Sequence, residues 1–210
     1  MATHTGPFIN YISIVKLENW GSTPDELIRP MVGDGICSDA RLVATRAITI
    51  DAPPSEVFPW LRQMGFGRAG WYSYDIIDNL GRRSARTINP DWQSLSAGDE
   101  VPGGPTSFTA MVVDPPRALV IALGDGTSKP RKITFTLAYE LRDDPRGTRL
   151  VSRVRARVNL PAGRIIERFL LGPGDGIMLR RQLLNIARRC RGARRARTAT
   201  WQVLSHHESD

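Results

Sequence analysis

The body of this chain has no histidine. The three that occur, His4, His206 and His207, sit in the terminal segments of its 210 residues. Their absence elsewhere removes Ser-His-Asp and Cys-His catalysis, most zinc sites and imidazole acid–base chemistry from the folded interior. Cysteine is almost as scarce. Cys37 and Cys190 stand far apart, neither beside a second cysteine that would make a metal knuckle or redox pair, and both are expected to be free thiols. No run approaches the ~18 apolar residues that a membrane span needs. The start "MATHTGPFINYISIVKLENW" has no basic n-region and no long apolar h-region, so no signal peptide is expected and a cytoplasmic location is the default. "VGDGIC", the nearest thing to a phosphate loop, precedes the first clear strand and lacks lysine. No nucleotide, flavin or nicotinamide fingerprint is present. The expectation is therefore no cofactor and no metal.

What is there is an ordinary globular composition, 41% hydrophobic and 24% charged, long enough for one substantial core. The net charge of +8 looks like a nucleic-acid signal until it is located. Residues 188–210 carry Arg188, Arg189, Arg191, Arg194, Arg195 and Arg197 against Glu208 and Asp210. The rest of the chain is only mildly basic. No aromatic platform interleaves these arginines, so no specific nucleic acid is expected. Weak contact with an anionic membrane surface is the sharper reading, and a solvated, disordered tail over 192–210 the plainer one.

Residues 1–40 read as an irregular N-terminal extension, with "GSTPDE" and "GDG" as turns. A domain over 41–191 follows. "ATRAITIDAP" alternates as a strand, and "PPSEVFPWLRQMG" has Val57, Trp60, Leu61 and Met64 at helical spacing, with Gly65 as a C-cap. Strands are expected over 107–114 and 117–125. "KITFTLAYELR" sets Ile133, Phe135, Leu137, Tyr139 and Leu141 against Thr134, Thr136, a solvated Glu140 and Arg142. After the "DDPRG" turn, Val154, Ala156 and Val158 alternate with Arg153, Arg155 and Arg157, which reads as an apolar face backed by a wet one. "GRIIERFLL" and a "GPGDG" break lead to a helix opened by Asp175 as N-cap. Its stripe is Met178, Leu179, Leu183, Ile186, Ala187 and Cys190. The class is α+β: a curved antiparallel sheet wrapped on a long C-terminal helix.

The segments "ATRAITIDAPPSEVFPWLRQMGFGRAGWYSYDIIDNLG" and "INPDWQSLSAGDEV", with the hairpins and terminal helix that follow, resemble the SRPBCC superfamily. This is the helix-grip fold of START domains, birch-pollen-type allergens and polyketide cyclase/dehydrase-like proteins. The likeness is to an uncharacterised bacterial branch that carries a "GFYSYD"-type motif, here "GWYSYD" from Gly70 to Asp75. It implies two short helices after the first strand, and a hydrophobic cavity between sheet and C-terminal helix. It implies no particular reaction, because the fold hosts carriers, cyclases and regulators alike.

On that reading Trp60, Met64, Trp71, Tyr72, Tyr74, Asp75, Phe108, Phe135, Tyr139 and Met178 are the candidate ligand-binding residues. Taken as a helix, "GWYSYDIIDN" puts Trp71, Tyr74 or Asp75, and Asp78 on one face. Aromatic rings would hold an apolar ligand, lipid or polyketide-like, while hydroxyls and the Asp75 carboxylate orient its polar end. A carrier or sensor needs nothing more. A cyclase or dehydratase, a lyase-type activity, would use a buried Asp75 as general base. The plainer alternative has Trp71 and Tyr74 packing the core, with Asp75 and Asp78 capping backbone or pairing with Arg68, Arg82 or Arg83.

Overall fold

The computed structural model describes residues 17–123, 132–161, 163 and 172–207, with side chains of the last helix described over 176–194. A short helix α1 (Pro24–Ile28) and a 3-10 turn (Asp34–Cys37) precede β1 (Leu42–Ile50). Helices α2 (Pro54–Arg62) and α3 (Asp75–Asp78) follow, then β2 (Glu100–Pro102), β3 (Ser107–Asp114), β4 (Ala118–Leu123), β5 (Ile133–Asp144), β6 (Gly147–Val158) and α4 (Gly172–His207). The six strands form one antiparallel sheet in the order β1-β6-β5-β4-β3-β2. This strand order, with two helices between β1 and β2 and a long C-terminal helix on the sheet, is the helix-grip architecture. Most of "GRIIERFLL" lies outside the described residues.

The strand alternation puts Leu137, Tyr139 and Leu141 of β5 and Leu150 and Val154 of β6 on the inner face. They pack there against Leu179, Leu183, Ile186, Ala187 and Cys190 of α4. Burying a large aliphatic side chain of this kind is worth about 1.5–3 kcal/mol, so this stripe fixes the helix on the sheet.

The outer face is not wet. Residues 17–40 cover it, and the arginines of β6 hold them there. Arg153 is 3% exposed. Its guanidinium donates to Thr45 Oγ1 (2.9 Å), to Asp34 Oδ2 (2.7 Å) and to the carbonyls of Glu26 (2.7 Å) and Arg29 (2.9 Å). Arg155 donates to the carbonyls of Cys37 (2.9 Å) and Ser38 (3.1 Å), and Arg157 pairs with Asp39. Arg149, one more step along the same face, grips Glu26 at 2.7 Å. A small apolar cluster of Met31, Ala47, Val120, Ala138 and Val151 closes beneath the cover. Glu140 is likewise engaged, accepting from Val32 N–H (2.7 Å) and from Arg142 (2.6 Å). Alternation reports which residues share a face, and here the chain's own N-terminal segment takes the place of water.

Three boundaries differ from the sequence reading. "TPDE" is a capping box rather than a loose turn: Thr23 Oγ1 accepts from Glu26 N–H and Glu26 returns the bond to Thr23 N–H. The C-cap of α2 is Gln63, two residues before Gly65. Helix α4 starts at Gly172, so Asp175 lies inside it, and its backbone stays helical through His207 where the sequence reading has a disordered tail.

Candidate functional site

Between the inner face of the sheet and α4 lies a half-open cavity of about 290 Å³. The sheet contributes Phe108, Ile121, Phe135 and Leu137, and α4 contributes Met178, Leu179 and Gln182. Gly103 shapes the mouth. A Cβ there would sit 2.5 Å from the Phe108 ring, so only glycine lets that ring lie where it does. The remaining wall comes from "GWYSYDIIDN", through Trp71, Ser73, Ile77 and Asp78.

This stretch is not helical from its start; only Asp75–Asp78 are. Gly70 has φ +73°, and a Cβ at that position would fall 2.5 Å from Ser84 Oγ. Tyr72 takes a left-handed conformation with φ 59°, costly for a bulky side chain by about 1–3 kcal/mol. Its neighbours hold it there. Tyr72 N–H donates to Ser84 Oγ (3.3 Å), and Asn185 Nδ2 donates to its carbonyl (2.8 Å). The effect is to send Trp71 and Ser73 to the cavity and Tyr72, between them, into the core.

In the core the Tyr72 hydroxyl accepts from Gln63 Nε2 (2.7 Å). Its ring packs edge-on to Trp60 (6.0 Å) beneath the Arg189 guanidinium (4.5 Å). Burial pushes its hydroxyl well above the usual tyrosine range. Tyr139 is also fully buried and donates to Gln182 Oε1 (2.5 Å). Gln182 Nε2 in turn donates to the Trp71 carbonyl (2.8 Å) and touches Met64 Sδ (3.5 Å). That relay ties β5, α4 and the Trp71 wall together. Tyr74 lies under the Arg181 guanidinium (4.4 Å).

Of the ten candidates, Trp71, Phe108, Phe135 and Met178 line the cavity, and Trp60, Met64, Tyr72 and Tyr139 form the core behind it. Asp75 is elsewhere. Its Oδ1 accepts from the backbone N–H (3.1 Å) and hydroxyl (2.5 Å) of Ser84, which fixes the loop back onto α3. A carboxylate committed to two such donors is a structural anchor rather than a base aimed at a ligand.

The cavity's carboxylate is Asp78, which the sequence reading weighed only as a cap or an ion-pair partner. Both its oxygens are shielded from solvent and neither has a hydrogen-bond partner. The nearby backbone N–H groups of Ser73, Tyr74 and Asp78 itself favour its charged form. Burial and the neighbouring Asp75 carboxylate prevail, and the pKa is raised above the ordinary aspartate value. Ser73, 6% exposed, also lines the cavity with a hydroxyl that has no partner. Gln182 had a readable signal, a polar residue set in the apolar stripe of α4 between Leu179 and Ile186. Asp78 had its helical spacing from Trp71, and Ser73 had no such signal, because its placement depends on the left-handed turn at Tyr72. Ile77 of the lining is 68% exposed, and its neighbours Ile76 and Leu80 are 82% and 77% exposed.

Among the described residues no group of three His, Cys, Asp or Glu is placed to hold a metal ion. None of their helices is long and apolar enough to cross a membrane. In the basic segment Arg189 donates to the Ala85 carbonyl (2.8 Å) and Arg194 to Asp51 (2.7 Å). Arg188 and Arg191 are exposed, and the side chains of Arg195 and Arg197 lie outside the described residues.

No family model and no curated protein matches this chain. Solved structures do. A protein of Nitrosomonas europaea is 12% identical with a TM-score of 0.49, over 79% of this chain and 99% of its own. A polyketide-cyclase-like protein of Corynebacterium glutamicum is 15% identical with a TM-score of 0.36, over 70% and 89%. The di-domain aromatase/cyclase BexL of the BE-7585A biosynthetic pathway is 16% identical with a TM-score of 0.39, over 71% of this chain and 50% of its own. Likenesses of this size bring nothing of those proteins' chemistry to this one, and the helix-grip assignment stands on the strand order and helix placement.

Proposed function

We propose that this chain binds a compact, largely apolar small molecule in the cavity between sheet and α4, as a carrier or sensor. The observation that carries this reading is the cavity itself: about 290 Å³, walled by Trp71, Phe108, Phe135 and aliphatic side chains, with Ser73, Asp78 and Gln182 also in its lining. That volume is at the lower edge of the ~300–1,000 Å³ typical of small-molecule sites. It suits a ligand of one or two rings, and a long acyl chain would have to protrude from the mouth. At ~25 cal/mol per Å², burying about 250 Å² of apolar surface is worth about 6 kcal/mol before the cost of lost freedom. That caps the affinity of the apolar part alone at tens of micromolar, and once lost freedom is counted, about millimolar or weaker.

The test is calorimetric titration of the full chain with a small neutral aromatic, 2-phenylethanol, against a Leu137→Trp variant whose indole fills the cavity. The wild type should bind and the folded variant should lose at least tenfold in affinity. Equal binding by both would place the ligand elsewhere.

A lyase-type reading, cyclase or dehydratase, is favoured by one observation: a shielded Asp78 carboxylate in the cavity lining, its pKa raised by burial. On that reading Asp78 moves the proton, and Asp78→Asn abolishes turnover of a polycarbonyl compound while leaving its binding intact.

A further inference from the structure

The polar corner of the cavity tells more about its occupant than the apolar walls do. Both Asp78 oxygens and the Ser73 hydroxyl lack partners. A buried polar group without a hydrogen bond costs about 1–3 kcal/mol, and more if it is charged. Among the described residues no cation pairs with Asp78. Arg181, from α4, spends its guanidinium on the Ser73 carbonyl (3.0 Å) and the Tyr74 ring. Asp75, the other acid of α3, is held by Ser84.

Resting on the cavity reading above, we propose that the ligand is an organic cation, an ammonium group on an aromatic or short aliphatic body, received by the Asp78 carboxylate with Ser73. An ammonium brings three donors, matching two carboxylate oxygens and one hydroxyl. A ligand carboxylate would face repulsion from Asp78 and Asp75. A ligand carbonyl could accept from a neutral Asp78, but the second Asp78 oxygen would stay without a partner.

The walls agree with the corner. Trp71 and Phe108 meet edge-on at 5.7 Å and 77°, and Phe108 and Phe135 at 5.9 Å and 47°. Three rings turned at different angles around one space present both faces and edges to it, and a ring face attracts a cation by about 0.5–2 kcal/mol. The Asp78 oxygens are sheltered in the wall, so receiving the ammonium requires the carboxylate to turn toward the lumen. It sits at the last residue of a four-residue helix whose neighbours Ile76 and Ile77 are exposed, so the turn displaces little packing.

The experiment is titration of the full chain at neutral pH with three probes of one shape: 2-phenylethylamine, 2-phenylethanol and phenylacetate. The amine should bind at least tenfold tighter than the alcohol, and the acid weakest. Asp78→Asn, close to isosteric, should erase the amine's preference over the alcohol. Ser73→Ala should reduce the preference without erasing it. An alcohol or acid that binds as tightly as the amine overturns the proposal but leaves the cavity reading standing. The same holds if the preference survives in Asp78→Asn. Failure of all three probes at millimolar concentration overturns both.

Discussion

The two faces of the sheet treat their polar groups in opposite ways. On the outer face, Arg149, Arg153, Arg155 and Arg157 reach into backbone carbonyls and carboxylates of residues 21–39. On the inner face, a carboxylate and a hydroxyl line a cavity with nothing to bind. Both carry charge into poorly solvated places, but among the described residues the outer one meets it with ion pairs and side-chain hydrogen bonds, whereas Asp78 has only the nearby N–H groups of Ser73, Tyr74 and its own residue. The outer face is thus a structural interface, while on the proposal made above the cavity on the inner side takes its partner from outside.

The largest break in this comparison is expected at Arg153. Arg153→Ala strips the donors from the Glu26 and Arg29 carbonyls and leaves Asp34 without its closest cation. The loss should be about 3–5 kcal/mol in urea unfolding, or roughly 10 °C in Tm for a chain of this size. A loss below about 1 kcal/mol would mean that residues 17–40 are a loose cover and that the outer face is not built as described.

Tyr139→Phe should act on a smaller scale. It removes the donor to Gln182 Oε1 and leaves that buried oxygen unanswered, for about 1–3 kcal/mol. Because Gln182 also holds the Trp71 carbonyl, the variant should weaken binding of 2-phenylethanol more than its stability loss alone explains. Unchanged binding would show that the relay supports the fold without positioning the wall.

The smallest effect has the opposite sign. The folded-state pKa of Asp78 is raised above its ordinary value of 3.8. The stability tied to its neutral form is therefore present below that value and lost as pH rises through the raised one. Asp78→Asn should accordingly be more stable than wild type at pH 7, with the gain disappearing near pH 3. A variant less stable at pH 7 would mean that the charge has a partner after all.

Much of the fold was legible before the structure was seen. β3 runs over the expected Ser107–Asp114, and the β5–β6 alternation put Leu137, Tyr139 and Val154 on the helix-facing side. What failed to read had physical causes. Arg153, Arg155 and Arg157 alternate as a solvated row would, and periodicity carries no information on what lies above a face. The three-residue β2 is too short to show a period. The cavity wall was misread for a sharper reason. Helical spacing applied from Trp71 already puts Asp78 on the Trp71 face together with Tyr74 or Asp75, but the left-handed Tyr72 breaks that register, so Ser73 lines the cavity with Asp78 and Asp75 does not. Nothing in a tyrosine announces a positive φ. Only Gly70 just before it, and the Ser84 that packs on it, hint at the turn.

The most direct test of the account is native mass spectrometry of the full chain as purified, with release and identification of whatever accompanies it. The account predicts a discrete small added mass with a basic nitrogen, present in wild type and lost in Asp78→Asn. A bare protein mass that takes up none of the three phenethyl probes would contradict it, and so would a bound compound that is retained equally by Asp78→Asn.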